Sequence, residues 1–189
     1  MLRDLMLNST ARHALQVLPI ALLAGILVWV LRRKKAASPG REFLILLFTC
    51  YTTGLLCMVL APSGLWQSIW YSLLTGQVHW QVDPLFSGEI CLEVKLLHYL
   101  TGRYTAGSWT AFMYFGNIAM LIPMGIFLPL VFRQKTWQNL LMGLGFILAM
   151  EALQPIMGRS FDADDLICNA LGLILGLIIV RPFVPKTKK

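Results

Sequence analysis

Five long apolar runs, separated by polar segments, dominate the chain and predict five membrane-spanning helices. The runs cover residues 15–31, 43–60, 110–132, 137–154 and 166–180. As an α-helix the first run rises about 26 Å, which just spans the hydrocarbon core of a bilayer. The fifth run is shorter, so its helix is predicted to start near Phe161, with acidic residues in its first turn.

The long segment 61–109, between the second and third runs, is predicted to have secondary structure of its own, because structureless loops of this length are uncommon. Within residues 65–74, apolar side chains recur at helical spacing and polar ones, Ser68 among them, lie on the opposite face. The apolar positions are Trp66, Ile69, Trp70 and Leu73. This pattern is typical of a helix lying in the plane of the membrane interface. Residues 90–100 are a second candidate for such a helix.

The composition agrees with this pattern and excludes a soluble fold. Hydrophobic residues make up 57% of the chain and charged residues only 13%, with a mean hydropathy of +0.68. Soluble domains average about 25% charged residues. We therefore predict an all-α, polytopic transmembrane helical bundle of about five spans with one or two outer interfacial helices. A length of 189 residues suits a single membrane domain, residues 1–189.

The net charge of +7 is explained by membrane topology rather than by a nucleic-acid partner. Basic residues cluster directly after the first run and at the C-terminal end of the chain, at Lys186, Lys188 and Lys189. If the five runs cross the membrane in turn, 11 of the 16 lysines and arginines fall on one side. Basic residues accumulate on the cytoplasmic side, so the N-terminus is predicted outside and the C-terminus in the cytoplasm. No nucleic-acid-binding motif accompanies the charge.

The four cysteines predict neither a disulfide nor a metal site, and we expect no cofactor. Cys50, Cys57 and Cys168 lie in apolar runs, where cysteine behaves as a small hydrophobic residue. Cys91 lies in the long outer segment as a candidate free thiol. The sequence has no Cys-x-x-Cys and no Cys/His pair at ligand spacing.

Ionisable and amide side chains concentrate where the fourth and fifth runs meet, and they form the candidate functional site. Glu151 and Gln154 lie three residues apart, so they share one face of the fourth helix. Asp162, Asp165 and Asn169 follow at spacings of three and four, which puts them on one stripe of the fifth helix. Ionisable groups in or beside membrane spans are costly and usually serve a function.

Arg159 lies in the turn between these two helices and is the expected counter-ion of the site. In a helical hairpin the two polar faces are predicted to converge near the outer surface. An arginine can form a bidentate pair with one carboxylate and offset part of its desolvation cost. Asn117, in the third run, is a further candidate for ligand binding.

Structural explanations compete with a functional one for several of these residues. Asp162, Asp164 and Asp165 in a first helical turn favour the helix dipole and can cap the helix. For Asp162 and Asp165 a cap and a functional site are both open, and Asp164 is assigned only the dipole role. Asn169 lies too deep for a cap and either joins helices or binds a ligand. Glu151 is the strongest candidate, because a carboxylate inside an apolar helix needs a partner.

These residues resemble the VanZ-like family of bacterial membrane proteins, named for a protein linked to teicoplanin resistance. The family pattern begins with an asparagine followed by a Pro-x-Gly step, matched here by Asn117, Pro123 and Gly125. It continues with Glu-x-x-Gln, a turn with an arginine, and Asp-x-x-Asp-x-x-x-Asn-x-x-Gly-x-x-x-Gly. The matching residues are Glu151, Gln154, Arg159, Asp162, Asp165, Asn169, Gly172 and Gly176. The resemblance covers residues 110–180, the predicted motif-bearing core, and Ile122 stands where the family often has phenylalanine.

The resemblance implies a multi-pass protein of the bacterial inner (cytoplasmic) membrane, with the lipid bilayer as a partner and a link to glycopeptide susceptibility. Three functions then compete. The polar residues could bind a lipid headgroup or a lipid-linked cell-wall precursor, with Arg159 facing phosphate. Alternatively, Glu151, Asp162 or Asp165 could serve as general acid or base in an integral-membrane enzyme. In the third case the polar residues only hold a structural scaffold together.

Overall fold

The computed structural model describes residues 6–7, 12–35, 38–103, 105 and 107–184, which form two compact units. The first unit comprises Met1–Gly88 and Leu153–Arg159, and the second comprises Glu89–Ala152 and Ser160–Lys189. The single domain expected from the chain length stays a prediction. The three lysines at the C-terminal end, which enter the topology prediction, lie outside the described residues.

Helices make up most of both units. The first unit contains α1 (Arg12–Arg32), a 3-10 turn (Arg33–Lys35), α2 (Pro39–Val59), α3 (Leu65–Thr75) and a second 3-10 turn (Pro155–Met157). The second unit contains β1 (Ile90–Cys91), α4 (Lys95–Leu100), α5 (Ser108–Phe132), nearly all of α6 (Thr136–Leu153), β2 (Phe161–Asp162), α7 (Ala163–Val180) and a 3-10 turn (Arg181–Phe183).

Five stretches of the described chain are helical, long and apolar enough to cross a membrane. They are Arg12–Arg32, Pro39–Val59, Thr110–Phe132, Thr136–Met157 and Ala163–Phe183. Large apolar side chains remain exposed along them, for example Leu23 at 66% and Ile178 at 61% exposure. Such surfaces are stable in hydrocarbon rather than in water. The structure therefore confirms the all-α, five-span fold class.

In the first unit, α1 and α2 form a hairpin that is closed by an ion pair. Ser38 caps α2 by accepting a hydrogen bond from the backbone N–H of Arg41, and Pro39 follows as the first helical residue. At the same end, the Nε and Nη2 atoms of Arg32 donate to the two carboxylate oxygens of Glu42 at 3.0 and 3.2 Å. This bidentate geometry is the stronger form of an arginine–carboxylate pair.

Helix α3 matches the predicted interfacial helix, but its contacts differ from the predicted faces. The indole N–H groups of Trp66 and Trp70 donate to the carbonyl oxygens of Cys57 and Gln16 at 2.7 and 2.8 Å. Ser68, which is predicted on the polar face, is only 2% exposed. Its hydroxyl accepts from the backbone N–H of Gln81 and donates to the carbonyl of the same residue. A folded-back chain segment thus satisfies this buried polar group.

The predicted second interfacial helix over residues 90–100 is wrong in its first half. Ile90 and Cys91 are extended and pair in parallel with Phe161 and Asp162, and only Lys95–Leu100 is helical. The same pairing moves the start of α7 from the expected Phe161 to Ala163. Pairing between segments so distant in the sequence leaves no signal in local periodicity.

Helices α5 and α7 form the core of the second unit because glycines let their backbones approach closely. A Cβ atom on Gly172 would meet the carbonyl oxygen of Ile118, and one on Gly176 would lie 2.8 Å from the Cα of Gly125. A Cβ on Gly125 would lie 2.7 Å from the backbone nitrogen of Leu177. Small residues at such crossings allow the van der Waals packing that drives helix association in membranes. We call this contact the glycine seam.

The glycine seam predicts opposite effects for two identical substitutions in α5. Gly125→Ala places a methyl group against the α7 backbone and is expected to destabilise the folded protein by about 1–3 kcal/mol. Gly116→Ala is the matched control, because no atom lies within 4 Å of its added Cβ. It is expected to be neutral or to stabilise the helix by about 0.5–1 kcal/mol. Thermal unfolding in detergent measures both, and equal midpoints for the two variants would contradict the seam.

Candidate functional site

The first turn of α7 carries three aspartates, and Asp162 is its cap. Asp162 has extended backbone angles, and its side chain accepts a hydrogen bond of 2.9 Å from the backbone N–H of Asp164. Its own backbone belongs to β2, which fixes where the helix begins. Of the two roles left open by the sequence, the capping role accounts for the contact of this side chain, while the backbone N–H of Asp162 interacts with the carboxylate of Glu151.

Asp165 lies one turn further on and contacts α5, the helix that carries the first part of the motif. The side-chain amide of Asn117 on α5 donates a short hydrogen bond to Oδ1 of Asp165. Asn117 is 8% exposed, so the pair joins α5 to α7 in a largely buried position. Asn117 also precedes Ile118, whose carbonyl oxygen faces Gly172 in the glycine seam. The close packing of the two backbones therefore brings this amide within reach of the carboxylate.

Glu151 on α6 is buried against Asn169 on α7. Glu151 is 1% exposed, and its Oε1 accepts a hydrogen bond of 3.0 Å from the amide of Asn169. Asp165 and Asp162 lie within electrostatic range of this carboxylate. The other oxygens of the pair, Oε2 of Glu151 and Oδ1 of Asn169, are buried without a hydrogen-bond partner among the described residues. Unpaired buried polar atoms are rare, and each one calls for an explanation.

Asp164 makes contacts that the sequence did not predict. It is 1% exposed, and its carboxylate accepts hydrogen bonds from the backbone N–H of Leu96 at 3.1 Å and from the hydroxyl of Tyr114 at 2.9 Å. The assignment of Asp164 to a helix-dipole role alone is therefore wrong, because this residue joins α4 and α5 to the start of α7. Tyr114 lies three residues before Asn117, so helical spacing could have placed it on the same face. No local pattern marks the N–H group of Leu96.

Gln154 and Arg159 belong to the first unit and form the turn after α6. The carbonyl oxygen of Gln154 accepts backbone hydrogen bonds of 2.9 Å from Met157 and from Arg159. Gly158 in this turn has a φ of +75°, and a Cβ there would meet the carbonyl oxygen of Pro84. A glycine is therefore required at this position. The expected pairing of Arg159 with a carboxylate of the second unit stays a prediction.

Two adjoining cavities in the first unit provide space for a ligand. One has a volume of about 270 Å³ and the other about 430 Å³. Ser63, Gly64 and Gln67 contribute to the walls of both. Arg159, His13, Trp66 and Met58 help line the smaller cavity, and Tyr71, His79, Gln81 and Asp83 help line the larger one.

The structure thus divides the seven candidate residues into groups. Asn117 with Asp165, and Glu151 with Asn169, form two hydrogen-bonded pairs in the second unit. Asp162 caps α7, while Gln154 and Arg159 lie in the turn of the first unit. Within the described part of the chain, no three histidine, cysteine or carboxylate side chains come together as a metal site. Both pairs are amide–carboxylate contacts, which suit hydrogen bonding to a polar ligand.

Comparison with known proteins agrees with the arrangement of these motifs. The model of the VanZ/LLP1 family matches residues 48–184, which is more than half of the chain and includes all seven candidate residues. No curated protein and no solved structure shows significant similarity to the chain. With five helices long and apolar enough to span a membrane and a family match over most of its length, this chain is a multi-pass membrane protein that belongs to the VanZ/LLP1 family.

Proposed function

We propose that this protein acts in the bacterial cell envelope by binding the polar headgroup of an envelope lipid or of a lipid-linked cell-wall precursor. The proposed site consists of the pairs Glu151–Asn169 and Asn117–Asp165. One observation carries the proposal: the buried carboxylate of Glu151 accepts a hydrogen bond from Asn169 and interacts with the backbone N–H of Asp162, but its Oε2 has no hydrogen bond of normal geometry among the described residues. A buried carboxylate oxygen that lacks a donor is costly, so a donor from a ligand would offset this cost.

The unpaired atoms indicate which headgroup chemistry would suit the site. Oε2 of Glu151 and Oδ1 of Asn169 are both acceptors, so they need hydroxyl or ammonium donors. A phosphate group offers only acceptors and would not satisfy them. Arg159 is the group proposed to face the phosphate of the same class of ligand, since guanidinium binds phosphate through two parallel hydrogen bonds.

Catalysis on such a lipid is the second candidate function. It is favoured by the electrostatic proximity of Glu151, Asp165 and Asp162, because neighbouring carboxylates can divide the roles of general acid and base. The side chain of Asp162 caps α7. Glu151 and Asp165 are therefore the residues proposed as general acid and general base. A changed lipid product in purified membranes would distinguish catalysis from binding.

The proposed location is the inner membrane, with residues 61–109 and the turn at Arg159 on the outer side. The asymmetry of lysine and arginine along the chain supports this orientation. The envelope lipids and lipid-linked precursors that are accessible on the outer side include the targets of glycopeptide antibiotics. A change in teicoplanin susceptibility is therefore the phenotype that we propose for this protein.

Glu151→Gln tests the proposed site with little effect on the fold. Glutamine retains an oxygen that can accept from the amide of Asn169, but it loses the charge. We expect normal membrane abundance and a loss of headgroup binding and of the susceptibility phenotype. Asp162→Asn is the matched control, since asparagine also caps helices and should preserve abundance and phenotype. A normal phenotype in Glu151→Gln at normal abundance would rule out this site.

Asp164→Ala tests the structural explanation at the neighbouring position. The substitution removes the acceptor of the Leu96 N–H and of the Tyr114 hydroxyl and should destabilise the protein by about 2–4 kcal/mol. Phenotype and membrane abundance should then fall together. Tyr114→Phe removes only one of these hydrogen bonds and should cost about 1–2 kcal/mol. Unfolding midpoints in detergent that are unchanged for Asp164→Ala would contradict its structural role.

The proposed orientation can be measured by thiol labelling in intact cells. Cys91 lies in the outer segment and is partly exposed, whereas Cys168 is 1% exposed. We expect a membrane-impermeant maleimide to label the protein at Cys91 and expect Cys91→Ser to lose this labelling. In the Cys91→Ser background, Gly40→Cys places a thiol at an open position on the opposite side. Labelling of Gly40→Cys before permeabilisation would mean that the orientation is reversed.

A further inference from the structure

The two adjoining cavities of the first unit are not explained by the carboxylate site of the second unit. They meet at the start of α3, where Ser63, Gly64 and Gln67 border both. Gly64 has a φ of +78°, and a Cβ there would meet the carbonyl oxygen of Gln81. Asp83 donates its backbone N–H to the carbonyl of Ser63 at 3.1 Å. The segment that returns past α3 is therefore held at a fixed position and forms a wall of the larger cavity.

The smaller cavity combines positive charge with an apolar wall. The guanidinium of Arg159 supplies the charge, and the imidazole of His13, which accepts a hydrogen bond of 3.5 Å from Arg12, also lies in the lining. Met58 and Trp66 contribute apolar surface. Helix α3 starts at this cavity without a side-chain cap, so the positive end of its dipole adds to the field. A phosphate attached to an apolar chain has the matching chemistry.

The larger cavity is rich in hydrogen-bonding groups, and its lining includes one carboxylate, that of Asp83. Gln67, Gln81 and Asp83 provide amide and carboxylate groups. The rings of Tyr71 and His79 pack together in its lining, with centroids 5.4 Å apart. Its volume of about 430 Å³ falls in the range of about 300–1,000 Å³ that is typical of small-molecule sites. Amide and carboxylate groups beside an aromatic surface suit a molecule with several hydroxyl groups and an apolar ring face.

We infer that the two cavities together bind a phosphate-linked saccharide, with the phosphate beside Arg159 and His13 and the sugar beside Tyr71, Gln81 and Asp83. This inference rests on the proposed function only for the class of ligand, an envelope headgroup, and it assigns that ligand to the cavities of the first unit rather than to the carboxylate site of the second unit. Gln67 borders both cavities and is placed to contact the ligand near the bond between sugar and phosphate. The same chemistry occurs in a soluble sugar phosphate and in an isoprenyl-linked sugar phosphate.

Binding to the full chain in nanodiscs tests this inference with four probes. They are N-acetylglucosamine 1-phosphate, inorganic phosphate, N-acetylglucosamine, and a short isoprenyl diphosphate carrying N-acetylglucosamine. The sugar phosphate should bind at least tenfold more tightly than phosphate or sugar alone. The isoprenyl-linked probe should bind more tightly still, because the smaller cavity has an apolar wall. Equal affinity for inorganic phosphate and the sugar phosphate would overturn the saccharide assignment.

Four variants assign the two parts of the ligand to the two cavities. Arg159→Gln should weaken sugar phosphate binding about tenfold, whereas Arg103→Gln, which borders neither cavity, should leave it unchanged. Asp83→Ala should reduce the preference for the sugar phosphate over inorganic phosphate. Glu89→Ala is its control, as an exposed carboxylate of the same segment that borders neither cavity. Equal effects of a variant and its control would contradict the assignment.

The outcomes separate this inference from the proposed function. If Glu151→Gln abolishes the phenotype but no sugar phosphate binds, the cavity assignment is wrong while the carboxylate site stands. If the sugar phosphate binds with the predicted dependence on Arg159 and Asp83 but Glu151→Gln retains the phenotype, the inference stands and the carboxylate site is wrong.

Discussion

The close approach of α5 and α7 at the glycine seam is the constraint on which the polar site depends. Side chains as short as asparagine and aspartate can meet across two helices only if the backbones nearly touch. Gly125, Gly172 and Gly176 provide this approach, and Asn117 and Asp165 form their hydrogen bond at the same crossing. In a bilayer, where apolar side chains gain little from leaving lipid, such packing and hydrogen bonding replace the hydrophobic effect between helices.

Four acidic residues lie within fifteen positions, namely Glu151, Asp162, Asp164 and Asp165. Their hydrogen-bond partners distinguish residues with a structural role from candidates for ligand binding. Asp162 and Asp164 have donors that account for them, namely the end of their own helix and groups from α4 and α5. Glu151 has one satisfied oxygen and one that is buried without a partner among the described residues. The incompletely paired carboxylate, rather than the most acidic stretch of sequence, is therefore the best candidate for ligand contact.

The features that follow from local spacing could be predicted from the sequence, and those that depend on distant segments could not. The spans follow from long apolar runs, and the first turn of α7 follows from its aspartates. The pairing of β1 with β2 and the contact between Leu96 and Asp164 join segments about 70 positions apart. The burial of Ser68 has the same origin, since its partner Gln81 belongs to a later segment. Helical periodicity alone could not show that a later segment covers the polar face of that helix.

The tryptophan contacts of α3 determine how the first unit can respond to its surroundings. Trp66 is tied to the end of α2 and Trp70 to the start of α1 through their indole N–H groups. Helix α3 cannot change its depth or tilt independently of α1 and α2 without breaking both indole hydrogen bonds. A thinner or thicker bilayer would therefore act on α3 and the hairpin together, and hydrophobic mismatch would tilt them as one body. Lipid composition could in this way alter the shape of the cavities beside α3 without any ligand being present.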